Sequence, residues 1–299
     1  MGWGKLLVAL ACRSASGTPD VDRIEELNTT KVRECYDLAR RPSSPRLKEI
    51  LATPCSLTWG GRPCDSLSMA ERAGAGHCEA RYHDETQTLY AYADARKMCG
   101  VIAGAVKVGA IATTEAGAQT MLIDVGAAWS GEAIVGHKMG FLVAAFEARE
   151  VEYQNIVKAT RRFRGIDVIH AAVTDKPGPV ELHMAADSSS LLAGAVNSLT
   201  ERAKHNYESK KVVTVPGVVL DEYATLHNAR VAFLMIDVQG VEYYVLRGAR
   251  KILSKSAPVL MFEYDAGLIG PLAPKVLCLA QSFGYECAFQ GGNVVCIQP

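Results

Sequence analysis

The chain has 299 residues, 49% of them apolar and 21% charged, and a composition this close to the globular average excludes wholesale disorder, a collagen repeat and a coiled coil. Lys plus Arg number 32 and Asp plus Glu number 32, and a net charge of zero excludes a nucleic-acid binder that works by bulk phosphate neutralisation. No stretch reaches the roughly 20 consecutive apolar residues of a membrane span; the longest candidate, Val101 to Ala112, is short and carries Lys107.

Residues 1–17 have the outline of a signal peptide: Lys5, an apolar run from Leu6 to Cys12, and the small residues Ala15-Ser16-Gly17. A plain leader is the alternative reading. Residues 18–110 read as a mainly helical and irregular cap region. Val21, Ile24, Leu27, Val32 and Cys35 recur at near-helical spacing, and a second helix is expected near Arg46 to Ala52. Prolines and glycines from Pro54 to Gly76 then break regular structure. Asn28-Thr29-Thr30 has the form of a glycosylation sequon. The cysteines include no Cys-x-x-Cys pair, and no metal site is expected. Disulfides and free thiols both stay open, because the compartment decides between them.

From residue 111 to 299 the pattern changes. Strand-like apolar runs cover Met121 to Val125, Phe141 to Phe146, Ile166 to Val173, Val231 to Val238 and Pro258 to Phe262. Amphipathic stretches such as Val151 to Phe163 and Val241 to Leu253 lie between them. Continuous apolar strands separated by helices predict an α/β fold with a parallel sheet covered on both faces. Tyr285 to Gln290 and Asn293 to Gln298 flank Gly291-Gly292, which predicts a closing antiparallel hairpin. Counting outward from a two-residue turn brings Cys287 opposite Cys296, within the reach of a disulfide.

The first strand of this region ends in Asp124-Val125-Gly126-Ala127-Ala128-Trp129-Ser130-Gly131. Glycines at a strand-to-helix turn let the backbone approach a ligand closely. The next strand ends at Glu147, 23 residues after Asp124. A carboxylate at about that distance suits hydrogen bonding to a ribose diol. Ala128 stands where the second glycine of a dinucleotide fingerprint would admit a pyrophosphate, and there is no phosphate loop. An acid just before the turn repels a pyrophosphate and attracts an ammonium. Asp124 and Glu147 therefore favour S-adenosylmethionine, which has a ribose and an amino-acid end but no phosphate, over NAD.

Asp124-Val125-Gly126-Ala127 followed by Ala145-Phe146-Glu147 resembles the start of an FkbM-type S-adenosylmethionine-dependent methyltransferase domain. Leu234-Met235-Ile236-Asp237-Val238-Gln239-Gly240-Val241-Glu242, with Val245-Leu246-Arg247-Gly248-Ala249, is similar to the family's fourth-strand signature. Pro258 to Glu263 resembles its fifth strand, and Leu220-Asp221-Glu222-Tyr223 the short element before strand four. The resemblance covers about residues 115–299 and implies a Rossmann-like class I methyltransferase sheet, mostly parallel, with strand order 3-2-1-4-5. It departs at Ala128, where the family usually has Asn, at Gln239, where it has Glu, and at Ala148, where Pro is common.

The resemblance implies O-methylation of a small molecule, sugar or glycan, with S-adenosylmethionine as cofactor. Asp124, Gly126, Ala127, Gly131 and Glu147 are the candidate cofactor-binding residues. Asp237 ends an apolar strand at the edge where ligands bind, so it is a candidate both for the cofactor and for catalysis. Glu263 and Glu242 are the further catalytic candidates; for Glu242, a favourable helix-dipole contact is the alternative. His170 is expected to pack in the core or to line an adenine pocket rather than to act as a base, and Trp129 and Tyr153 are expected to pack rather than to serve as platforms. Two other classes remain: a catalytically silent methyltransferase-like domain, suggested by Ala128 and Gln239, and an NAD-type oxidoreductase, disfavoured by the missing glycines.

Overall fold

Alternation within continuous apolar strands builds the centre of the molecule. In the computed structural model, β1 (Thr120–Val125), β2 (Leu142–Glu147) and β3 (Ile166–His170) run parallel, followed in sequence by β4 (Ala172–Val173), β5 (Gly178–Ala185) and β6 (Ser209–Val218). Next come β7 (Arg230–Ile236) and β8 (Val259–Glu263), parallel to each other and to β1, and the antiparallel hairpin β9 (Glu286–Gln290) and β10 (Asn293–Ile297). The seven-stranded sheet has the order β9-β10-β8-β7-β1-β2-β3. That is the expected 3-2-1-4-5 order of parallel strands with the hairpin beyond strand five. The structure describes residues 24, 26–55, 58–59, 62–63, 85–112, 120–128, 130–185, 196–197, 209–228, 230–269 and 272–299. The expected leader at 1–17, Trp129, and Cys12, Cys64 and Cys78 lie outside the described residues.

Each face of the sheet buries its own apolar layer. Ile123, Phe146, Leu234, Ile236, Leu260 and Phe262 face one side, where α7 (Glu242–Arg247) and α8 (Ala273–Ser282) pack. Leu122, Val143, Phe233, Met235 and Met261 face the other. Sequence neighbours alternate between the layers, as the pleat requires. The second layer is covered by α4 (Gly131–Lys138), α5 (Glu150–Thr160) and two helices of the N-terminal region, α2 (Pro45–Ala52) and α3 (Glu85–Lys107). Of the segment from Val101 to Ala112, the part up to Lys107 closes α3, and Val101, Ile102, Ala105 and Ile111 are buried. Among the described residues no helix is long and apolar enough to cross a membrane.

The N-terminal region shares both cores with the sheet. Helix α1 (Thr29–Arg40) starts at Asn28, whose side chain accepts from the Lys31 amide at 3.0 Å, and buries Cys35 and Ala39 in the α8 layer. A disulfide joins Cys35 to Cys278 of α8, and the Gln281 side chain donates to the Cys35 carbonyl at 2.9 Å. The turn into α2 is held by Glu286 of β9, which accepts from the amides of Ser43 and Ser44. A second disulfide, Cys55–Cys99, ties the end of α2 to α3. The third, Cys287–Cys296, bridges the closing hairpin; Gln290 faces Asn293 and the two cysteine Cα atoms are 4.0 Å apart, as the turn predicted.

Two expectations are corrected. The run from Ile166 to Val173 is two strands, because β2 ends at Glu147, whose carbonyl takes the Ala171 amide, and the sheet edge offers no ladder beyond it. β4 instead joins a second sheet with β6 and β5. This arm lies between the third and fourth parallel strands of the main sheet; Ser188-Ser189-Ser190, expected as a plain loop, lies outside the described residues. The amphipathic stretch from Val241 to Leu253 is not one helix: α7 (Glu242–Arg247) ends at Gly248, and a π-helical turn, Ile252–Ser256, follows. Gly248 lies so close to β4 that a Cβ there would meet the Thr174 carbonyl at 2.4 Å. Asp221, in α6 (Leu220–Leu226), accepts from the amides of Lys251 and Ile252 and holds the break.

Candidate functional site

Four strands deliver a carboxylate to the same edge. Asp124 lies at the end of β1 and Glu147 ends β2, Asp237 follows the last residue of β7, and Glu263 ends β8. The residue before each acid, Ile123, Phe146, Ile236 and Phe262, belongs to the α7–α8 layer. The pleat therefore turns all four acids toward the opposite layer. That layer adds Asp94 of α3 and Glu132 in the first turn of α4, both of which act electrostatically on this group. Asp94 is fixed from the hairpin by the Asn293 side chain at 3.3 Å, and it pairs with Lys97 at 2.8 Å.

The turn after β1 is narrow for a physical reason. Gly126 has φ +86, and a Cβ there would lie 1.8 Å from the Asp237 carbonyl oxygen. The Gly126 and Ala127 amides both donate to the Phe146 carbonyl, at 2.9 and 3.0 Å, and the Asp237 amide donates to the Val125 carbonyl at 2.8 Å. The loop is thus laced to both neighbouring strands. Ser130 takes a left-handed conformation, φ 54, and Gly131 opens α4 as a buried residue.

Crowding of acids away from water raises their proton affinity. Asp124 is 2% exposed; burial, then the charges of Asp237 and Glu147, push its pKa up to about 8. Its Oδ2 is buried with no hydrogen-bond partner. Burial lifts Glu147 to about 7 against the pull of Arg149, whose amide donates to Glu147 Oε1 at 2.7 Å. Burial, reinforced by Asp124, also raises Glu132 well above the usual carboxylate range. Glu263 is held up at about 9 by burial and by Asp237. Burial raises Asp237 too, opposed by hydrogen bonds from Gln239 and Glu263.

Glu242 is tied through one oxygen to the loop before its own helix, and its Oε2 is buried without a partner. It is wholly buried, and its Oε1 accepts from the amides of Val238 and Gly240 at 3.3 and 3.1 Å. Burial raises it to about 7. The side chain therefore secures the loop that carries Gln239. His170 stacks on Tyr153 with centroids 4.9 Å apart and meets Glu150 at 3.2 Å, a packing and surface arrangement.

Sequence reasoning brought Asp124, Glu147, Asp237 and Glu263 to one edge and missed Asp94 and Glu132. Glu132 had a readable signal, because it follows the glycine turn by a few residues in the first turn of a helix. Asp94 had none; only the packing of α3 brings it here.

The donor set fits a cationic ligand with a sugar. An orphaned buried carboxylate oxygen on Asp124, and further acids at the same edge, suit an ammonium or sulfonium better than a phosphate. The sequence pattern of the Methyltransferase FkbM domain matches residues 124–287, more than half of the chain. No curated protein sequence matches it. Among solved structures, Methyltransferase FkbM from Methylobacillus flagellatus KT is 14% identical over 76% of this chain, with a TM-score of 0.41. The matched part is 58% of that protein, so this chain spans less than two thirds of its length. A mutant of MtNAS in complex with S-adenosylmethionine is 10% identical, over 97% of this chain and 88% of that one, with a TM-score of 0.37.

Proposed function

The chain belongs to the FkbM methyltransferase family, and from that premise we propose that it methylates a hydroxyl oxygen of a small molecule, sugar or glycan, using S-adenosylmethionine. The observation that carries this reading is the convergence of strand-end acids around the Gly126 turn, with the buried Asp124 oxygen left without a partner. When bound, S-adenosylmethionine supplies an electrophilic methyl group on a sulfonium and leaves as a neutral thioether.

The residues divide that work. Asp124 offers its unpartnered oxygen to the ammonium end. Glu147, at the tip of the second strand, accepts from the ribose hydroxyls. Gly126, Ala127 and Gly131 shape the loop that lets the cofactor approach the backbone. Asp237 stands between this half of the site and Glu263, where it accepts the proton that an attacking hydroxyl must lose. Glu263 lines the acceptor side, and Glu242 keeps the loop after β7 in place. An acceptor bearing phosphate or carboxylate would meet these acids with like charge, so an uncharged hydroxyl is favoured. The three disulfides among the described residues support folding in an oxidising compartment.

Calorimetry with S-adenosylmethionine, S-adenosylhomocysteine and NAD tests the cofactor, and transfer of labelled methyl to a panel of sugars, glycans and small hydroxyl compounds tests the reaction. Binding of the first two without NAD, followed by alkali-stable label on a hydroxyl, is the expected result. Binding with no transfer to any acceptor would favour a silent domain; NAD binding would overturn the assignment.

A further inference from the structure

Gln239 is a side-chain-bearing residue in the left-handed region, φ 56, a conformation that residues with side chains rarely adopt and that is held here by the loop around Gly240. Its amide nitrogen donates to Asp237 Oδ1 and to Glu263 Oε2, both at 2.8 Å. The two acceptors belong to neighbouring parallel strands, one step beyond the paired residues Ile236 and Phe262. A carboxamide nitrogen has two N–H bonds, and both are used. A Glu in this position has no donor to offer, so three carboxylates would converge where the amide now bridges two.

We propose that Gln239 is a positioning residue that joins Asp237 and Glu263 into one proton-holding carboxylate pair, and that this pair receives the proton of the acceptor hydroxyl. The inference rests on the methyl-transfer reading of the same edge. Glu263 carries the pair's proton and donates it toward Asp237, which stays ionised. The acceptor O–H bond breaks as its oxygen takes up the methyl group, and the proton forms a new O–H bond on Asp237. The pair passes from one proton to two and returns one to solvent after the product leaves. The charged groups that act on the pair from the surrounding elements include the acids Asp94 of α3, Asp124 of β1, Glu132 of α4, Glu242 of α7 and Asp265 just after β8, with Lys97 paired to Asp94. The Gln239 amide is thus the neutral donor that lets two carboxyls stay close among like charges.

The test is a pH titration of the ligand-free, full-length protein by infrared spectroscopy, following the protonated-carboxyl stretch. Subtracting the Glu263→Gln spectrum from the wild-type spectrum removes the signal that Asp124 and Glu132 give in both proteins and should leave one component above pH 7 that belongs to the pair. Gln239→Asn tolerates the left-handed backbone, but its shorter amide reaches only one partner; Gln239→Met keeps the length and has no donor. In either variant that component should titrate about one pH unit higher, because the lost N–H bonds favoured the ionised form. Should one variant fail to fold, as judged by its melting transition, the other carries the test. A component that titrates as in the wild type when Gln239 is replaced, or that survives in Glu263→Gln, overturns the proposal. The titration needs neither acceptor nor cofactor. Absence of S-adenosylmethionine binding by the wild type in calorimetry would therefore sink the methyl-transfer reading separately.

Discussion

A Cβ on Gly126 would lie 1.8 Å from the carbonyl oxygen of Asp237. The glycine turn after β1 and the acid after β7 are therefore parts of one close-packed junction, and neither can shift without the other. Both are also candidates for the same ligand edge. Gly126→Ala adds a methyl group against backbone at a left-handed φ, so it should destabilise the protein by about 2–4 kcal/mol and abolish cofactor binding. Chemical denaturation read against wild type checks the first effect. A variant as stable as wild type would show that the junction opens more readily than its geometry implies.

Glu147 is 5% exposed and already accepts from the backbone, with the Arg149 N–H on Oε1. Its remaining acceptor capacity is what a ribose diol would engage. Glu147→Ala should weaken S-adenosylmethionine binding by about 1.5–3 kcal/mol, the range for charge-assisted hydrogen bonds. Calorimetry on a folded variant decides it, and an unchanged affinity would remove Glu147 from the cofactor site.

The raised acids give the site a pH signature of definite sign. A carboxyl whose folded pKa lies above its unfolded value contributes stability below the unfolded value and loses it as pH rises through the folded one. Glu147 and Glu242 sit at about 7, Asp124 at about 8 and Glu263 at about 9. The ligand-free melting temperature should accordingly fall as pH climbs from about 5 to about 9. A cation at Asp124 favours its ionised form, so S-adenosylmethionine affinity should rise between about pH 6 and about pH 8, with proton release seen as buffer-dependent heat. A flat affinity profile without proton release would place the cation elsewhere.

The disulfides differ widely in the chain they close. Cys35–Cys278 spans a sequence separation of 243, Cys287–Cys296 one of 9. Loop-closure entropy then makes the long bridge worth about 2–3 kcal/mol more than the short one. Denaturation of the paired Cys35→Ser/Cys278→Ser and Cys287→Ser/Cys296→Ser variants measures the difference, with thiol alkylation and intact mass establishing which bridges are present. Equal losses would mean that the unfolded chain is already compact near α1 and α8.

Much of the sheet was legible in the sequence because the signal is local. An apolar run between glycine-bearing turns reads as a buried strand whatever packs on it. A two-residue turn at Gly291-Gly292 sets the hairpin register, and with it the pairing of Cys287 and Cys296, by counting alone. The strand-end acids Asp124, Glu147, Asp237 and Glu263 were legible for the same reason: each ends or directly follows an apolar run at a spacing that chain direction turns into a common edge. Tertiary structure decided the rest. Asp94 lies 30 residues before Asp124 in a stretch without a motif, and only the docking of α3 on the second apolar layer brings its charge to the site. The break at Ala171 depends on where the neighbouring strand stops, which no pattern within residues 166–173 records. Gln239 looked like a departure that lost a charge; its amide gained a role because β7 and β8 lie side by side, so that one nitrogen reaches two carboxylates 26 residues apart in sequence. Periodicity belongs to the chain and can be read along it, whereas convergence belongs to the packed sheet and arises only when distant segments share an edge.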